Sequence, residues 1–173
     1  QYFVLPKLDL RKKEDKELKI KLLEKNKGKT ALDEEEDNIV RGIYKNFTIN
    51  EKIQKWTDGK IEVSHYGTYD GIDVRVRPDC LGEDWISDIK TCQDASPEKF
   101  NKDIQNRFYH LQAYFYCFML GIDPQRFRFI ACETNPPFAV EVYKLDDVYI
   151  ENAKDDFERA FTFWKLYKEK GIV

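Results

Sequence analysis

The sequence predicts an α/β fold in which a central mixed sheet of five strands is flanked by helices, and three observations predict it. Helical periodicity and strand-like runs alternate in the order helices, three strands, a long helix, two strands and a helix. The chain has 173 residues, enough for one compact core and too few for two full-sized ones. Its composition, 42% hydrophobic and 35% charged with 8 Gly and 6 Pro, is that of a globular chain rather than a disordered or low-complexity one. One domain over 1–173, with no internal repeat and no linker, is therefore expected.

Residues 11–29 carry nine Lys or Arg against four acids and predict a charged helix or arm whose faces are solvated, with contact to DNA as the alternative. The acidic run Asp33 to Asp37 opens a helical pattern through Ile39, Val40, Ile43, Tyr44 and Phe47, and acids at that end complement the helix dipole. Thr48 followed by Glu51 has the spacing of a capping box and predicts a short helix ending before Gly59. Lys60 to Tyr66, Gly71 to Arg77 and Asp84 to Thr91 read as three strands of an antiparallel meander, with turns at Thr68–Gly71 and Cys80–Glu83. In the second of these, Val74 and Val76 alternate with Arg75 and Arg77, giving one apolar and one cationic face. Ser96 and Pro97 suit a helix start, and the helical pattern continues with one break to Leu120, where Gly121 supplies a stop. Arg126 to Glu133 and Phe138 to Leu145 are two more strands, joined through Asn135-Pro136-Pro137. Asp146 or Asp147 begins a last helix, apolar at Val148, Ala153, Phe157, Ala160, Phe161 and Trp164, which ends at Gly171.

Several classes of function are disfavoured. The longest apolar stretch, Leu111 to Ile122, is interrupted by Gln112 and is too short to span a bilayer. Leu8 to Lys29 is saturated with charge and does not resemble a signal peptide, so a cytoplasmic protein without a membrane partner is expected. Cys80, Cys92, Cys117 and Cys132 are scattered without a C-x-x-C pair, which predicts buried reduced thiols rather than an iron–sulfur or zinc site. A net charge of −3 does not announce a nucleic-acid binder, but average charge says little about a local cleft.

The informative stretch is Arg77-Pro78-Asp79 followed by Asp88-Ile89-Lys90. Asp88 and Lys90 lie two apart on a strand and project from one face, while Asp79 follows a proline where the chain bends. Two carboxylates converging on a point attract a hard divalent cation such as Mg²⁺, with Mn²⁺ as a substitute. A neighbouring lysine can orient or deprotonate the attacking water, or neutralise charge developing on a phosphate, which suits phosphodiester hydrolysis. Glu62, on the preceding strand, could add a third carboxylate. Gln112 and Tyr116, spaced i, i+4 with Tyr109 on the same side, form a polar and aromatic stripe in an otherwise apolar helix. Arg75 and Arg77 precede the acids, where guanidinium groups could grip DNA phosphates. Singly, each feature also fits a surface or core-boundary residue.

Together, PD at 78–79, DIK at 88–90 and the Q-x-x-x-Y spacing of Gln112 and Tyr116 resemble the PD-(D/E)xK nuclease superfamily and its RecB-like branch. Within it, RPD…DIKT followed by YHLQAYFY is similar to the nuclease domain of the RecE-type recombination exonucleases, the exodeoxyribonuclease VIII family. The resemblance covers nearly the whole chain and implies a restriction-endonuclease-like core. It also implies a Mg²⁺-dependent exonuclease of phage or prophage recombination and repair that digests one strand of double-stranded DNA from its 5′ end. By carry-over, Asp79, Asp88 and the Ile89 backbone carbonyl would bind the metal, with Glu62 matching a family acid, and Lys90 would assist the water. Gln112 and Tyr116 would sit beside the active site near the DNA. The implied partners are DNA ends, a single-strand annealing protein and further copies of the chain in a ring. Relatives carry a metal-binding histidine on an upstream helix, and neither His65 nor His110 matches it, so either an amino-terminal segment is expected to be missing from this sequence or the metal site to be incomplete. The alternatives are another DNA nuclease of the superfamily, an endonuclease or repair nuclease, and a catalytically silent DNA-binding module on the same fold.

Overall fold

The computed structural model describes residues 1–171. In chain order its elements are β1 (Tyr2–Val4), α1 (Lys13–Lys25), β2 (Thr30–Leu32), α2 (Glu34–Ile49), α3 (Glu51–Gln54), β3 (Lys60–Ile61), β4 (His65–Tyr69) and β5 (Ile72–Val76). There follow β6 (Cys80–Leu81), β7 (Ile86–Cys92), α4 (Pro97–Asn106), α5 (Tyr109–Leu120), a single 3-10 turn (Pro124–Arg126), β8 (Phe127–Glu133), β9 (Val140–Tyr143) and α6 (Asp147–Lys170).

Five strands form the central sheet in the order β3-β6-β7-β8-β9, with β7 in the middle. It is mixed: β7 and β8 run parallel, and the remaining pairs are antiparallel. The crossover between the parallel strands is made by α4 and α5, as a parallel pair requires. Strand β8, FRFIACE, buries apolar residues on both faces because helices cover both. On one face Ile86, Phe127, Phe129 and Ala131 pack with Phe100 and Ile104 of α4 and Ala113 and Cys117 of α5. On the other, Ile130, Cys132 and Val140 pack with Ile53, Trp56 and the Ile43 and Phe47 side chains of α2. The fold class expected from the sequence is the one observed.

The strand details differ from the expected meander. The run 60–66 breaks at Glu62, whose φ of 54° is left-handed, so β3 and β4 belong to different sheets. Strands β4 and β5 form a separate hairpin whose Tyr69 packs on Phe118 of α5 and on Phe157 and Phe161 of α6. Cys80 and Leu81, expected in a turn, are the short strand β6. The capping box lies at Asp33 and Glu36. Thr48 instead donates its hydroxyl to the Tyr44 and Lys45 carbonyls inside α2, and Asn50 caps α3. A parallel pair of short strands, β1 and β2, has no counterpart among the strands expected from the sequence. The basic segment 11–29 contains the helix α1, which buries no residue.

All four cysteines are buried and unpaired. Burial pushes the Cys92 thiol up to about 11 and those of Cys117 and Cys132 up to about 12. The thiolate, not the thiol, is the nucleophile. Native protein at pH 8 should therefore resist alkylation by iodoacetamide while unfolded protein takes four labels, a difference that intact-mass spectrometry reads directly.

Candidate active site

Strand β7 alternates its side chains between the two helical layers, and Asp88 and Lys90 face α5. The middle position of β7 in the sheet buries Asp88 to 3% exposure. On one side β7 is paired along its whole length with β8, but β6 offers it only Cys80 and Leu81. One step beyond the last pair, Cys80 with Ser87, stand Asp79 and Asp88. The same step between β3 and β6, beyond Ile61 with Cys80, brings Glu62 beside Asp79, and the Glu62 N–H donates to the Asp79 carbonyl at 3.1 Å. Three acids thus stand in one row where β6 stops pairing with both its neighbours.

The end of β6 leaves the Ile89 N–H without a strand partner, and a backbone donor at such a place needs an acceptor. Asp79 Oδ2 supplies it at 2.6 Å. From α5, the Gln112 amide nitrogen donates to Asp88 Oδ1 at 3.0 Å, and its carbonyl oxygen accepts from Lys90 Nζ at 2.8 Å. Because an ionised carboxylate only accepts and an ammonium only donates, this orientation of the amide alone satisfies both neighbours. Lys90 Nζ also lies 2.5 Å from Asp88 Oδ2. That contact is a close ion pair without hydrogen-bond alignment, and Oδ2 is buried with no hydrogen-bond partner. Burial pushes the Asp88 carboxyl up; Lys90 opposes the rise, Asp79 adds to it and the Gln112 bond opposes it.

Asp79, Asp88, Ile89, Lys90, Gln112, Tyr116, Arg75 and Arg77 line one pocket of about 320 Å³. Of the acids, cations and stripe residues singled out in the sequence, Glu62 and Tyr109 do not border it, and the Glu62 carboxylate is held by Arg77 Nε at 3.0 Å. Wider clefts exist, one of about 1090 Å³ between Gly59, Leu81 and Gly121, but that one lacks two carboxylates joined to a lysine. Among the described residues no group of three or more His, Cys, Asp or Glu side chains converges as a metal cage. Two carboxylates, one with a buried oxygen that meets only the Lys90 ammonium, nonetheless fit Mg²⁺, which takes one or two carboxylates and completes its shell with water and phosphate oxygens.

Neither histidine joins the pocket. His65 is on β4, opposite Val76. His110 turns to the other side of α5, its Nδ1 3.1 Å from the Ile104 carbonyl and its Nε2 3.0 Å from Asp156 Oδ2. Tyr109, placed by the sequence on the same side of the helix, makes a contact the sequence does not announce: its ring centroid lies 4.6 Å from Lys90 Nζ. Its only signal in the sequence is its place three residues before Gln112.

No helix among the described residues is long and apolar enough to cross a membrane. No curated protein sequence is significantly similar to the chain. A candidate exonuclease from Eubacterium rectale, solved by crystallography, superposes with a TM-score of 0.66 at 16% identity, covering 79% of this chain. The chain spans only 55% of that protein's length, and the likeness is one of fold. The structure of SSO0001 aligns over 71% of this chain and 60% of its own at 14% identity, with a TM-score of 0.35. Residues 4–170 match the family described as a PDDEXK-like domain of unknown function, DUF3799. The chain belongs to that family, and with it to the PD-(D/E)xK-like nuclease superfamily.

Proposed function

We propose that this chain is a Mg²⁺-dependent DNA exonuclease of the recombination type, which digests one strand of a duplex from its 5′ end. The single observation that carries a hydrolytic reading is the buried Asp88, bridged to Lys90 by Gln112, with its second oxygen meeting only the Lys90 ammonium, beside Asp79. The finer assignment rests on the RPD…DIK and Q-x-x-x-Y resemblance, and the description of the E. rectale protein agrees with it. DNA ends, a single-strand annealing protein and a ring of identical chains are the partners that follow.

Asp79, Asp88 and the Ile89 carbonyl would hold Mg²⁺, or Mn²⁺ in its place, and the ion supplies Lewis-acid stabilisation of charge on the phosphate. Glu62 is one register step from Asp79, held by an ion pair that is half exposed on both sides. Exposed pairs of this kind contribute about 0–1 kcal/mol, so Arg77 does not lock Glu62 away from the row. Lys90 holds a positive charge where the attacking water and the phosphate meet, and Gln112 fixes its distance from Asp88. Arg75 and Arg77 border the pocket and bind the flanking phosphates.

Asp88→Ala should lower Mg²⁺ affinity and cleavage together, whereas Lys90→Ala should retain Mg²⁺ and lose roughly 10²–10⁴-fold in rate, the scale for a positioned acid–base or electrostatic group. Calorimetric Mg²⁺ titration and single-turnover digestion of an end-labelled linear duplex, with a closed circle as control, measure both. Parent-level cleavage by Lys90→Ala would end this mechanism. DNA binding without cleavage by the parent protein would instead favour a silent DNA-binding module, and cleavage of the circle an endonuclease.

Arg75→Ala should weaken duplex binding alike for all sequences and reduce the slope of log K against log salt by about 0.9, one phosphate contact. Fluorescence anisotropy across a salt series reads that slope, and an unchanged value would remove Arg75 from the DNA interface.

A further inference from the structure

Lys90 carries a flexible four-carbon stem, and such a side chain needs fixed neighbours to hold its ammonium at one point. Three groups surround the Nζ atom: Asp88 Oδ2 at 2.5 Å, Gln112 Oε1 at 2.8 Å and the Tyr109 ring, whose centroid is 4.6 Å away. A divalent cation on Asp88 competes with the first of these for the same carboxylate. Gln112 and Tyr109 are then the groups that keep the ammonium in the pocket.

The chain reaches this arrangement through a local irregularity. Helix α4 stops at Asn106, and Phe108 takes a left-handed conformation with φ 55° and ψ 34° before α5 begins at Tyr109. A non-glycine residue with a bulky side chain rarely adopts that conformation, and Phe108 leaves its own side chain 59% exposed, so its burial does not explain the bend. The bend sets α5 off from α4 and places the first ring of α5 over Lys90. Tyr109 is seated from behind by the core, its ring 6.0 Å from that of Phe129 and tilted by 33°.

We propose that Tyr109 is a positioning residue that holds the Lys90 ammonium over the carboxylate pocket through the face of its ring, from a seat created by the left-handed joint at Phe108. The inference deepens the nuclease reading and depends on it for its consequence in catalysis. The ring face attracts the ammonium electrostatically, whereas the hydroxyl contributes nothing to this contact. Ring and hydroxyl are therefore separable by substitution.

The test compares Tyr109→Phe with Tyr109→Leu, which keeps an apolar side chain in the same core seat. The first readout is NMR of metal-free protein: a methylene held over an aromatic face resonates upfield, and the Lys90 ε-methylene signal is assigned by its loss in Lys90→Ala. The parent and Tyr109→Phe should show that upfield signal, and Tyr109→Leu should show it at the ordinary lysine position. The second readout is single-turnover cleavage at saturating duplex. Tyr109→Phe should match the parent, while Tyr109→Leu slows by roughly tenfold, the scale of one lost cation–π contact, with duplex affinity unchanged.

An upfield Lys90 signal that survives in Tyr109→Leu overturns the proposal, as does a fall in duplex affinity with the rate intact, which would make Tyr109 a DNA contact. If the parent protein cleaves nothing, the nuclease reading fails, and the NMR comparison still decides whether Tyr109 positions Lys90.

Discussion

The structure is organised around keeping one carboxylate buried on the middle strand of a sheet. An isolated buried charge costs several kcal/mol even after relaxation, so Asp88 requires partners on every open side. Lys90 comes from two residues along the same strand, but Gln112 must come from another layer, which fixes the height and rotation of α5 over β7. Helix α5 is pinned on its opposite side as well, because buried His110 meets the Ile104 carbonyl of α4 and Asp156 of α6. Two polar pins, one toward the sheet and one toward the outer helices, hold a helix whose twelve residues are otherwise largely apolar. Apolar packing alone would leave such a helix free to rotate by a residue at modest cost. The polar pins make that rotation expensive, because each would leave a buried group unpaired.

The same carboxylate requires the sheet to end early on one side. A full-length β6 would have covered Asp88 with a neighbouring strand and satisfied the Ile89 N–H through the ladder. Pro78, fully buried and without an N–H to donate, stands where that pairing would have continued. The Asp79 side chain takes over the bond that the missing strand would have made. One proline therefore opens the pocket and also places its second carboxylate, a reason for the two residues to occur as a dipeptide.

Much of this was legible in the sequence. The alternation of helical and strand patterns gave the class of fold, and the two-residue spacing of Asp88 and Lys90 put both on one face. The i, i+4 spacing of Gln112 and Tyr116 put both beside the pocket. What could not be read is which short strands share a sheet. Lys60 to Tyr66 has continuous strand character, and the left-handed turn at Glu62 that divides it falls on a residue with no glycine to announce it. The break expected between Pro97 and Leu120 falls at Phe108, and there too no glycine marks the position. The parallel pairing of Tyr2–Val4 with Thr30–Leu32 joins segments separated by a helix, and three-residue strands carry too little periodicity to signal a partner. Thr48 and Glu51 had the right spacing for a cap, but Thr48 lies in the last turn of α2, where its hydroxyl bonds back to helix carbonyls.

A second carboxylate of the sheet shows what a structural acid looks like in this fold. Glu133 ends β8, and its two oxygens accept from the Ala95 N–H at 2.8 Å and the Ala139 N–H at 3.3 Å, tying two loops to the strand. Each oxygen has a donor, and the group closes a gap in the backbone accounting. Asp88, more deeply buried, has one oxygen bonded to Gln112 and the other facing an ammonium without an aligned hydrogen bond. Replacing a buried ion pair by apolar side chains is often neutral or stabilising, so stability alone gives little reason to retain this pair. Burial raises the Asp88 carboxyl against the opposition of Lys90, and groups perturbed by burial together with a specific charge partner are enriched at functional sites. Glu133 and Asp88, on adjacent strands of one sheet, thus differ in kind: backbone donors from two loops satisfy the first, and side chains from two layers meet the second.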